Sequence, residues 1–381
     1  MTSNTELREQ YLQKCSDFAC PPIFPILEAL DAGRTLDVVA LDGNSKELFN
    51  NRINPLQVFS LCEFLYDYST LTVLRLQYNF LNNMAVQAIA RLIQSNRSLR
   101  MLDLTGNQVT EEGAHALVGV LSAPDCGLQA LVLRNNPLGD SGALELADML
   151  RVNTSLTLLD MADTHCGIQG LIGVANALME ANNTLKILDL EDAVLQAPQD
   201  STYQHLSRML AASPSLTDLS LAKHRMVDSQ LELLVAQGFS RSRGEWSGLS
   251  LRGNRLSPFA GPTLERLLSG CPRLQRLNLS ANALGNEGAV SLARCLPRSC
   301  AALRELDVRG NGIGDVGLIA LAGALPLLHT LQLFLVWGNH MGPGGARALA
   351  DALQHPALRR LRADVKPYMV EGEVAMALQE V

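Results

Sequence analysis

A short apolar pattern recurs about every 28 residues and constrains the fold of this 381-residue chain more than any other feature. Four segments fit L-x-x-L-x-L-x-x-N, with Val308 as the single apolar replacement; they begin at Leu99, Leu128, Leu274 and Leu303. Relaxed copies begin at Leu36, Leu71, Leu156, Leu185, Leu216, Trp246 and Leu331. The eleven copies follow at steps of 28 to 31 residues, after a first step of 35. Such a period indicates an array of one repeated supersecondary unit.

Each copy continues from this pattern into a helical one. A glycine recurs six residues after the asparagine position, at Gly113, Gly142, Gly288, Gly317 and Gly345, and apolar residues at helical spacing follow it. Leucines at positions one, four and six stack on those of neighbouring copies to form one continuous core. The asparagine side chain can bond backbone groups where the chain leaves the strand. The sequence therefore predicts an α/β solenoid whose parallel sheet is covered by helices on one side.

The pattern and its length resemble a known family. L-x-x-L-x-L-x-x-N is the signature of leucine-rich repeats, and repeats of this length with a full helix are similar to the ribonuclease-inhibitor-like class. The resemblance covers residues 36–360. It implies a horseshoe of about eleven repeats, with the parallel sheet on the concave face and helices on the convex face. The class includes ribonuclease inhibitor, the Ran GTPase-activating proteins, the sensor ends of intracellular immune receptors and several ciliary proteins.

The two ends of the chain lie outside the repeat pattern. Residues 1–35 place apolar side chains at helical spacing, which predicts an N-terminal helical cap over the first strand. The leucine-rich repeat array is expected over residues 36–360. Residues 361–381 are expected to form a C-terminal cap, with a partner-binding tail as the alternative. Pro367 is expected to interrupt any regular element in that tail.

Enzyme signatures are weak in this sequence. One copy contains Gly312-x-Gly314-x-x-Gly317 between a strand-like and a helix-like stretch, as dinucleotide-binding turns do, but only Gly317 belongs to the recurring set. The pair His165-Cys166 has no recognisable supporting acid or glycine-rich oxyanion turn, and no two histidines fall at H-x-x-x-H spacing. The sequence therefore predicts no catalytic, cofactor-binding or metal-binding residues, no cofactor, and a protein that is not an enzyme.

Composition points to an intracellular soluble protein. The net charge is −7 and aromatic residues make up 4%, which disfavours a nucleic-acid binder. The first residues are polar and lack a signal-peptide pattern, and the longest apolar run is broken by Pro326. Eight cysteines form no C-x-x-C pair, so we expect small buried apolar residues. The expected location is the cytoplasm or nucleus, with a cilium or flagellum as the alternative.

Polar side chains at strand positions three, five and seven alternate away from the core and are expected to line the concave face. Like charges on adjacent strands repel, so a basic partner surface would relieve the repulsion and speed encounter. An aromatic side chain near the rim adds an anchor of a type enriched at interfaces. The predicted partner-binding residues are Asp103, Asp160, Asp189, Glu191, Asp218, Arg252, Glu305, Asp307, Arg309 and Trp337.

These residues predict a non-catalytic scaffold that binds a protein partner with a basic surface, without nucleic acid, membrane or small-molecule substrate. Two other interpretations remain. In one, the polar face serves solubility alone; in the other, binding centres on the irregular fifth to seventh copies, where Thr164, Ala193 and His224 replace the asparagine. The stretch after Glu191 also lacks the recurring glycine, which predicts a protruding loop.

The resemblance leaves two functional alternatives open. One is a GTPase activator of the Ran type, although the strongly acidic tail of that family is not matched by "EGEVAMALQEV". The other is a structural component of a cilium or flagellum, which is a specialised form of the scaffold interpretation.

Overall fold

The computed structural model describes residues 4–195 and 200–381, and the chain divides into two compact units, 1–194 and 195–381. The loop predicted after Glu191 includes residues 196–199, which lie outside the described residues. Both units alternate short strands with helices, as the repeat pattern predicts.

The first unit contains six strands and seven helices among its described residues. Its strands are β1 (Val38–Ala40), β2 (Val73–Arg75), β3 (Met101–Asp103), β4 (Ala130–Val132), β5 (Leu158–Asp160) and β6 (Ile187–Asp189). Its helices are α1 (Asn4–Asp17), α2 (Phe24–Asp31), α3 (Pro55–Leu65), α4 (Asn83–Ser95), α5 (Glu111–Leu121), α6 (Gly139–Leu150) and α7 (Ile168–Glu180). The strands pair in parallel and in chain order, in equivalent register from copy to copy.

The second unit repeats this arrangement and ends in a hairpin. Its strands are β7 (Asp218–Ser220), β8 (Gly248–Ser250), β9 (Arg276–Asn278), β10 (Glu305–Asp307), β11 (Leu333–Leu335), β12 (Arg362–Ala363), β13 (Val365–Val370) and β14 (Glu373–Leu378). Its α-helices are α8 (Asp200–Ala212), α9 (Asp228–Leu233), α10 (Gly261–Gly270), α11 (Gly285–Ser299), α12 (Asp315–Ala324) and α13 (Pro343–Leu353). Strands β7 to β12 pair in parallel and in order, whereas β13 and β14 pair antiparallel.

Each of the eleven predicted copies places its strand over positions three to five, so the predicted fold class is confirmed. The predicted number of copies is one too small, because β12 adds a twelfth strand. Sequence periodicity missed β12 because Ala363, rather than leucine, pairs with Phe334 at the fourth position. The expectation for Pro367 is wrong, since this residue lies within β13. Proline is tolerated there because both strands of a two-stranded hairpin are edge strands.

The leucines of the strands form the core. Leu102 and Leu104, at positions four and six of one copy, are fully buried, and so are Leu131 and Leu133 of the next copy. Their Cα register pairs Leu102 with Leu131, so like residues stack from strand to strand. Burying one such side chain stabilises the fold by roughly 1.5–3 kcal/mol, and one copy alone could not bury both of its faces.

The turn after each strand explains the recurring Gly-Asn pairs. The residue before the asparagine position has a positive φ in ten copies; these residues are Tyr78, Gly106, Asn135, Asp163, Asp192, Lys223, Gly253, Ala281, Gly310 and Gly338. This left-handed conformation costs most residues roughly 1–2 kcal/mol but costs glycine little. Glycine is therefore favoured directly before the asparagine.

The asparagines bind the backbone as predicted. Asn107 donates from Nδ2 to the carbonyl oxygens of Leu76 (2.9 Å) and Leu104 (2.8 Å). Its Oδ1 accepts from the backbone N–H groups of Asn79 (3.1 Å) and Leu81 (3.0 Å) in the preceding copy. Residues at the same position make equivalent bonds; they are Asn79, Asn136, Asn254, Asn282, Asn311 and Asn339. We call this series the asparagine ladder.

The ladder weakens where the sequence departs from asparagine. Thr164 keeps one bond, in which its hydroxyl donates to the carbonyl oxygen of Met161 at 2.7 Å. Ala193 has no polar side-chain atom with which to replace the amide. His224 is fully buried, and its own carbonyl oxygen accepts from the Tyr203 hydroxyl at 3.3 Å. Threonine can thus still bond the backbone at this position.

The recurring glycine serves close helix packing rather than backbone freedom. At Gly170 an added Cβ would lie 2.6 Å from the Cβ of Ala143 and 2.6 Å from Sγ of Cys166. Both distances are shorter than carbon–carbon or carbon–sulfur contacts allow. The absence of a side chain at Gly170 therefore lets α7 pack closely against Ala143 of α6.

The ends carry their own elements. In the first unit, α1 buries Tyr11, whose hydroxyl accepts the backbone N–H of Ile23 at 2.9 Å. In the second unit, Gln379 follows β14 and donates from Nε2 to the carbonyl oxygen of Ala363 at 2.7 Å. That bond satisfies a backbone acceptor of β12, the last parallel strand. Over residues 4–195 and 200–381, no helix combines the length and apolar character needed to cross a membrane.

Candidate partner-binding surface

In each unit, one face of the parallel sheet packs against the helices through positions four and six. Positions three, five and seven point to the other face because side chains alternate along a strand. We call this other face the open sheet face. The predicted partner-binding residues occupy these positions, in the first unit up to Glu191 and in the second unit from Asp218 onward.

Three of the predicted acids in the first unit meet at one arginine. Arg134, at position seven of the fourth copy, donates from Nε to Asp160 at 3.0 Å and from Nη2 to Asp189 at 2.6 Å. Its Nη1 lies 3.4 Å from a carboxylate oxygen of Glu191. The side chains of Asp160, Asp189 and Glu191 are 17%, 24% and 13% exposed. We call these four residues the Arg134 cluster.

The Arg134 cluster holds one positive charge against three negative ones, leaving −2 if all are ionised. Burial raises the pKa of the Asp160 carboxyl, opposed by the backbone N–H of Ala162 and by Arg134. Burial alone lowers the pKa of Arg134, but the surrounding carboxylates outweigh it and raise the pKa overall. The repulsion expected among the stacked acids is therefore relieved partly by the chain itself.

Asp103 is not part of this cluster. Its side chain is only 5% exposed and accepts from the backbone N–H of Thr105 at 2.9 Å, the Thr105 hydroxyl at 2.7 Å, and the Gln77 amide. Its charge still reaches Asp160, where it contributes to the raised pKa. Asp103 therefore adds to the negative potential of the first unit but offers a partner little direct contact.

Asp218 organises a smaller group on the open sheet face of the second unit. It accepts from the hydroxyls of Thr217 (2.8 Å) and Ser247 (2.6 Å), and it forms an ion pair with Arg276. Arg276 lies two strands away, and Gly248 occupies the position between them. A Cβ at Gly248 would overlap the Asp218 carboxylate, so the glycine makes room for this pair.

The remaining candidates lie farther along the second unit. Arg309 binds Asp307 within one copy, with Nε at 3.0 Å and Nη2 at 2.7 Å from its carboxylate oxygens. Glu305 on the same strand is exposed, as is Arg252 at position seven of the eighth copy. Trp337 follows β11 and is 39% exposed. Within each unit the predicted residues thus form local groups: the Arg134 cluster in the first unit, and the Asp218–Arg276 and Asp307–Arg309 pairs in the second.

The glycine motif of the tenth copy is a helix cap. Asn286, on α11, accepts through Oδ1 from the backbone N–H groups of Gly314 (2.9 Å) and Gly317 (3.0 Å) at the start of α12. Asp140 binds Gly167 and Gly170 in the same way, at 2.8 and 2.7 Å. A phosphate would need those helix-terminal amides, which a neighbouring side chain already binds. The turn therefore has a structural explanation.

The cysteines behave as core residues. All eight are buried and free of disulfide bonds, which confirms that expectation. Burial raises the pKa of the Cys166 thiol to about 12, and Sγ lies 3.6 Å from the carbonyl oxygen of Gly167. The thiolate is the nucleophilic form, so this thiol is poorly suited to catalysis near neutral pH. No group of three or more histidine, cysteine or acidic side chains in the described residues could hold a metal ion.

Comparison with known families agrees with the repeat geometry. The family model described as Leucine Rich repeat matches residues 95–118, 127–147, 270–293 and 299–322. Each matched segment includes a complete strand, the turn after it and most of the helix that follows. The chain is a leucine-rich repeat protein.

Several known proteins are similar to this chain. The chain is 35% identical to bovine NACHT, LRR and PYD domains-containing protein 5 over 311 residues. This alignment covers 81% of the chain and 28% of that protein. Over 294 residues it is 26% identical to pig ribonuclease inhibitor, covering 76% of this chain and 61% of that protein. A solved internalin of Listeria monocytogenes aligns over 79% of this chain and 68% of its own, with 15% identity and a TM-score of 0.41.

This leucine-rich repeat protein therefore spans about a quarter of the first relative and three fifths of the second. The shared part is the repeat array. The activities of the whole relatives therefore do not transfer to this chain.

Sequence reasoning missed a second series of structural amides. Asn96, Asn153 and Asn182 precede the first leucine of three copies by three residues and are buried. Asn153, for example, donates to the carbonyl oxygen of Leu121 at 2.7 Å and accepts from the N–H of Leu156 at 2.8 Å. The repeated N-x-S/T-L spacing was the available signal. Arg134 was also missed as a site residue, although it occupies position seven, as Glu191 does.

Proposed function

We propose that this protein is a non-catalytic scaffold that binds a protein partner with a basic surface on its open sheet face. The observation that carries the proposal is the Arg134 cluster, where three partly buried carboxylates converge on one guanidinium at the open sheet face. We further propose that the protein acts inside the cell, in the cytoplasm or nucleus or on a cilium or flagellum.

The cluster is suited to recognition because its carboxylates are already oriented. Arg134 holds Asp160 and Asp189 within 3.0 Å of its nitrogens, so a partner need not order these side chains on binding. Their remaining lone pairs can accept from a lysine or arginine of the partner. Partial burial strengthens such contacts relative to those made in open water.

The comparisons support binding to protein rather than chemistry. Ribonuclease inhibitor, by its name, acts on another protein, and the repeat array is the part that this chain shares with it. The irregular stretches, such as "LCEFLYDYSTLTVLRLQYNFL" and "DVKPYMVEGEVAMAL", are similar to leucine-rich repeat-containing protein 34. We offer that closer likeness as part of the proposal.

The proposal is tested by affinity purification with mass spectrometry. The wild type is compared with the double variant Asp160→Lys, Asp189→Lys, and with the milder pair Asp160→Asn, Asp189→Asn in case lysines beside Arg134 prevent folding. The matched control, Asp125→Lys with Asp148→Lys, makes the same charge change at exposed acids outside the Arg134 cluster. Circular dichroism first establishes that each variant is folded.

We expect a basic protein to be lost from both cluster variants and retained by the control. Recovery of the same partners by all forms would refute binding at the cluster. A separate measurement addresses the alternative activity: the intact protein is added to a Ran-type GTPase, and GTP hydrolysis is followed. Stimulated hydrolysis would replace the scaffold proposal with that of a GTPase activator.

A further inference from the structure

The second unit contains a cleft between the turn after β11 and the C-terminal hairpin. The cleft encloses about 710 Å³ and lies between the Trp337–Pro343 segment on one side and residues of β13 and β14 on the other. This volume is large enough for one long side chain together with part of its backbone. The cleft belongs to the second unit, whereas the Arg134 cluster belongs to the first.

The chemistry of the cleft is divided between apolar and acidic groups. Met341, Val370 and Met376 provide apolar lining, and Trp337 provides an aromatic ring. The charged side chains among the described lining residues are Glu371 and Glu373, both acidic and exposed. Neither glutamate forms an ion pair within the described residues. Arg362 lies on β12 and Lys366 on β13, but neither residue lines the cleft.

We propose that this cleft takes a lysine or arginine side chain from an extended segment of the partner. The aliphatic stem of such a residue would cover the methionine and valine surface, as long cationic side chains do on apolar surfaces. The cationic head would lie near the Trp337 ring and form ion pairs with the carboxylates of Glu371 and Glu373. An acidic or purely apolar segment would leave those carboxylates unmatched.

The location of the carboxylates strengthens this charge argument. Glu371 and Gly372 form the two-residue turn between β13 and β14, and both have positive φ, at 51° and 88°. The hairpin register pairs Val370 with Glu373, so the turn places both glutamates at the tip. Because β13 and β14 pair along their length, the tip is held opposite Trp337 rather than left as a free tail.

The inference rests on the proposed scaffold function and names a second contact region for the same class of partner. It is tested with three fluorescein-labelled nonapeptides that alternate alanine with arginine, glutamine or glutamate. Binding to the full chain is followed by fluorescence anisotropy. Acrylamide quenching gives a direct readout at the cleft, because the other tryptophan, Trp246, is 2% exposed and contributes little to the quenchable signal.

We expect the arginine peptide to bind at least tenfold more tightly than the glutamine peptide and to protect Trp337 from acrylamide. Trp337→Ala and the pair Glu371→Gln, Glu373→Gln should each weaken arginine-peptide binding at least fivefold, whereas Trp337→Phe should retain it within about threefold. The control pair Glu9→Gln, Glu111→Gln removes the same charge from exposed sites in the first unit and should change binding less than twofold.

Equal affinity for the arginine and glutamine peptides, or unchanged binding by the cleft variants, would overturn the assignment. If Asp160→Asn, Asp189→Asn alone abolishes peptide binding, the scaffold proposal stands and the cleft proposal fails. If the cleft variants lose the peptide while affinity purification shows no partner lost from the Arg134 cluster variants, the cleft assignment stands and the open-face site fails.

Discussion

Replacing one asparagine of the asparagine ladder should lower the free energy of unfolding by more than the small size of the side chain suggests. In Asn107→Ala, the backbone N–H groups of Asn79 and Leu81 lose the Oδ1 that accepts from them at 3.1 and 3.0 Å. The carbonyl oxygen of Leu76 also loses its 2.9 Å bond from Nδ2. Leaving a buried polar group unsatisfied costs about 1–3 kcal/mol. Two donors and one acceptor, each at the lower end of this range, therefore predict a loss of about 3–5 kcal/mol in the free energy of unfolding.

The assay is urea unfolding followed by circular dichroism, with the m-value checked because repeat arrays need not unfold in one step. Asn107→Thr should lose about 1 kcal/mol less, because a hydroxyl can make the bond that Thr164 makes to Met161. Asn51→Ala, at an exposed asparagine, should fall within about 0.5 kcal/mol of wild type. A loss below about 1 kcal/mol for Asn107→Ala, with unchanged hydrogen exchange at Leu81, would refute this account of the ladder.

Other changes test separate parts of the structure. Arg134→Ala should destabilise the fold by about 2–3 kcal/mol at pH 7. The pKa of Asp160 is already raised above 3.8, so its ionised form opposes folding as the pH rises through that raised value. Acidification removes this charge. The urea midpoint of the variant should therefore approach that of the wild type as the pH falls. Gly170→Ala should cost about 1–3 kcal/mol by thermal unfolding, whereas Gly119→Ala, where an added Cβ meets nothing within 4 Å, should stabilise α5 by about 0.5–1 kcal/mol. Cys166 should resist alkylation by iodoacetamide at pH 7.5 until urea unfolds the chain; rapid labelling of the folded protein would contradict its burial.

The strand positions could be predicted because each depends on a period repeated many times. Leu102 and Leu131 have the same neighbours in equivalent copies, so one pattern places both. The twelfth strand escaped because Ala363 can occupy a core position without matching the leucine pattern. The recurring glycine could be located from the sequence, but the packing limit behind it depends on the approach of a neighbouring helix, as the distances at Gly170, the equivalent position of the fifth copy, show.

The candidate site was less predictable because it depends on pairs of side chains. Positions three, five and seven identified which residues lie on the open sheet face, but not which of them meet. Arg134 reaches Asp160 on the next strand and Asp189 on the strand after it, and only the register and side-chain conformation determine that reach. Asp103 illustrates the opposite case, since Thr105, two residues later, accounts for two of its bonds and could have been recognised as a local partner.

The asparagine ladder has a consequence for how such a chain can change in length. Asn107 binds back to the copy before it, and Asn136 in turn binds the carbonyl oxygen of Leu104 in the copy of Asn107. Each copy thus both supplies and receives the same bonds, and it presents to its successor the groups that its predecessor presented to it. A duplicated copy inserted between the two would find every connection it needs already in place. Gene duplication could therefore lengthen or shorten the array by whole copies without requiring compensating changes in the neighbours.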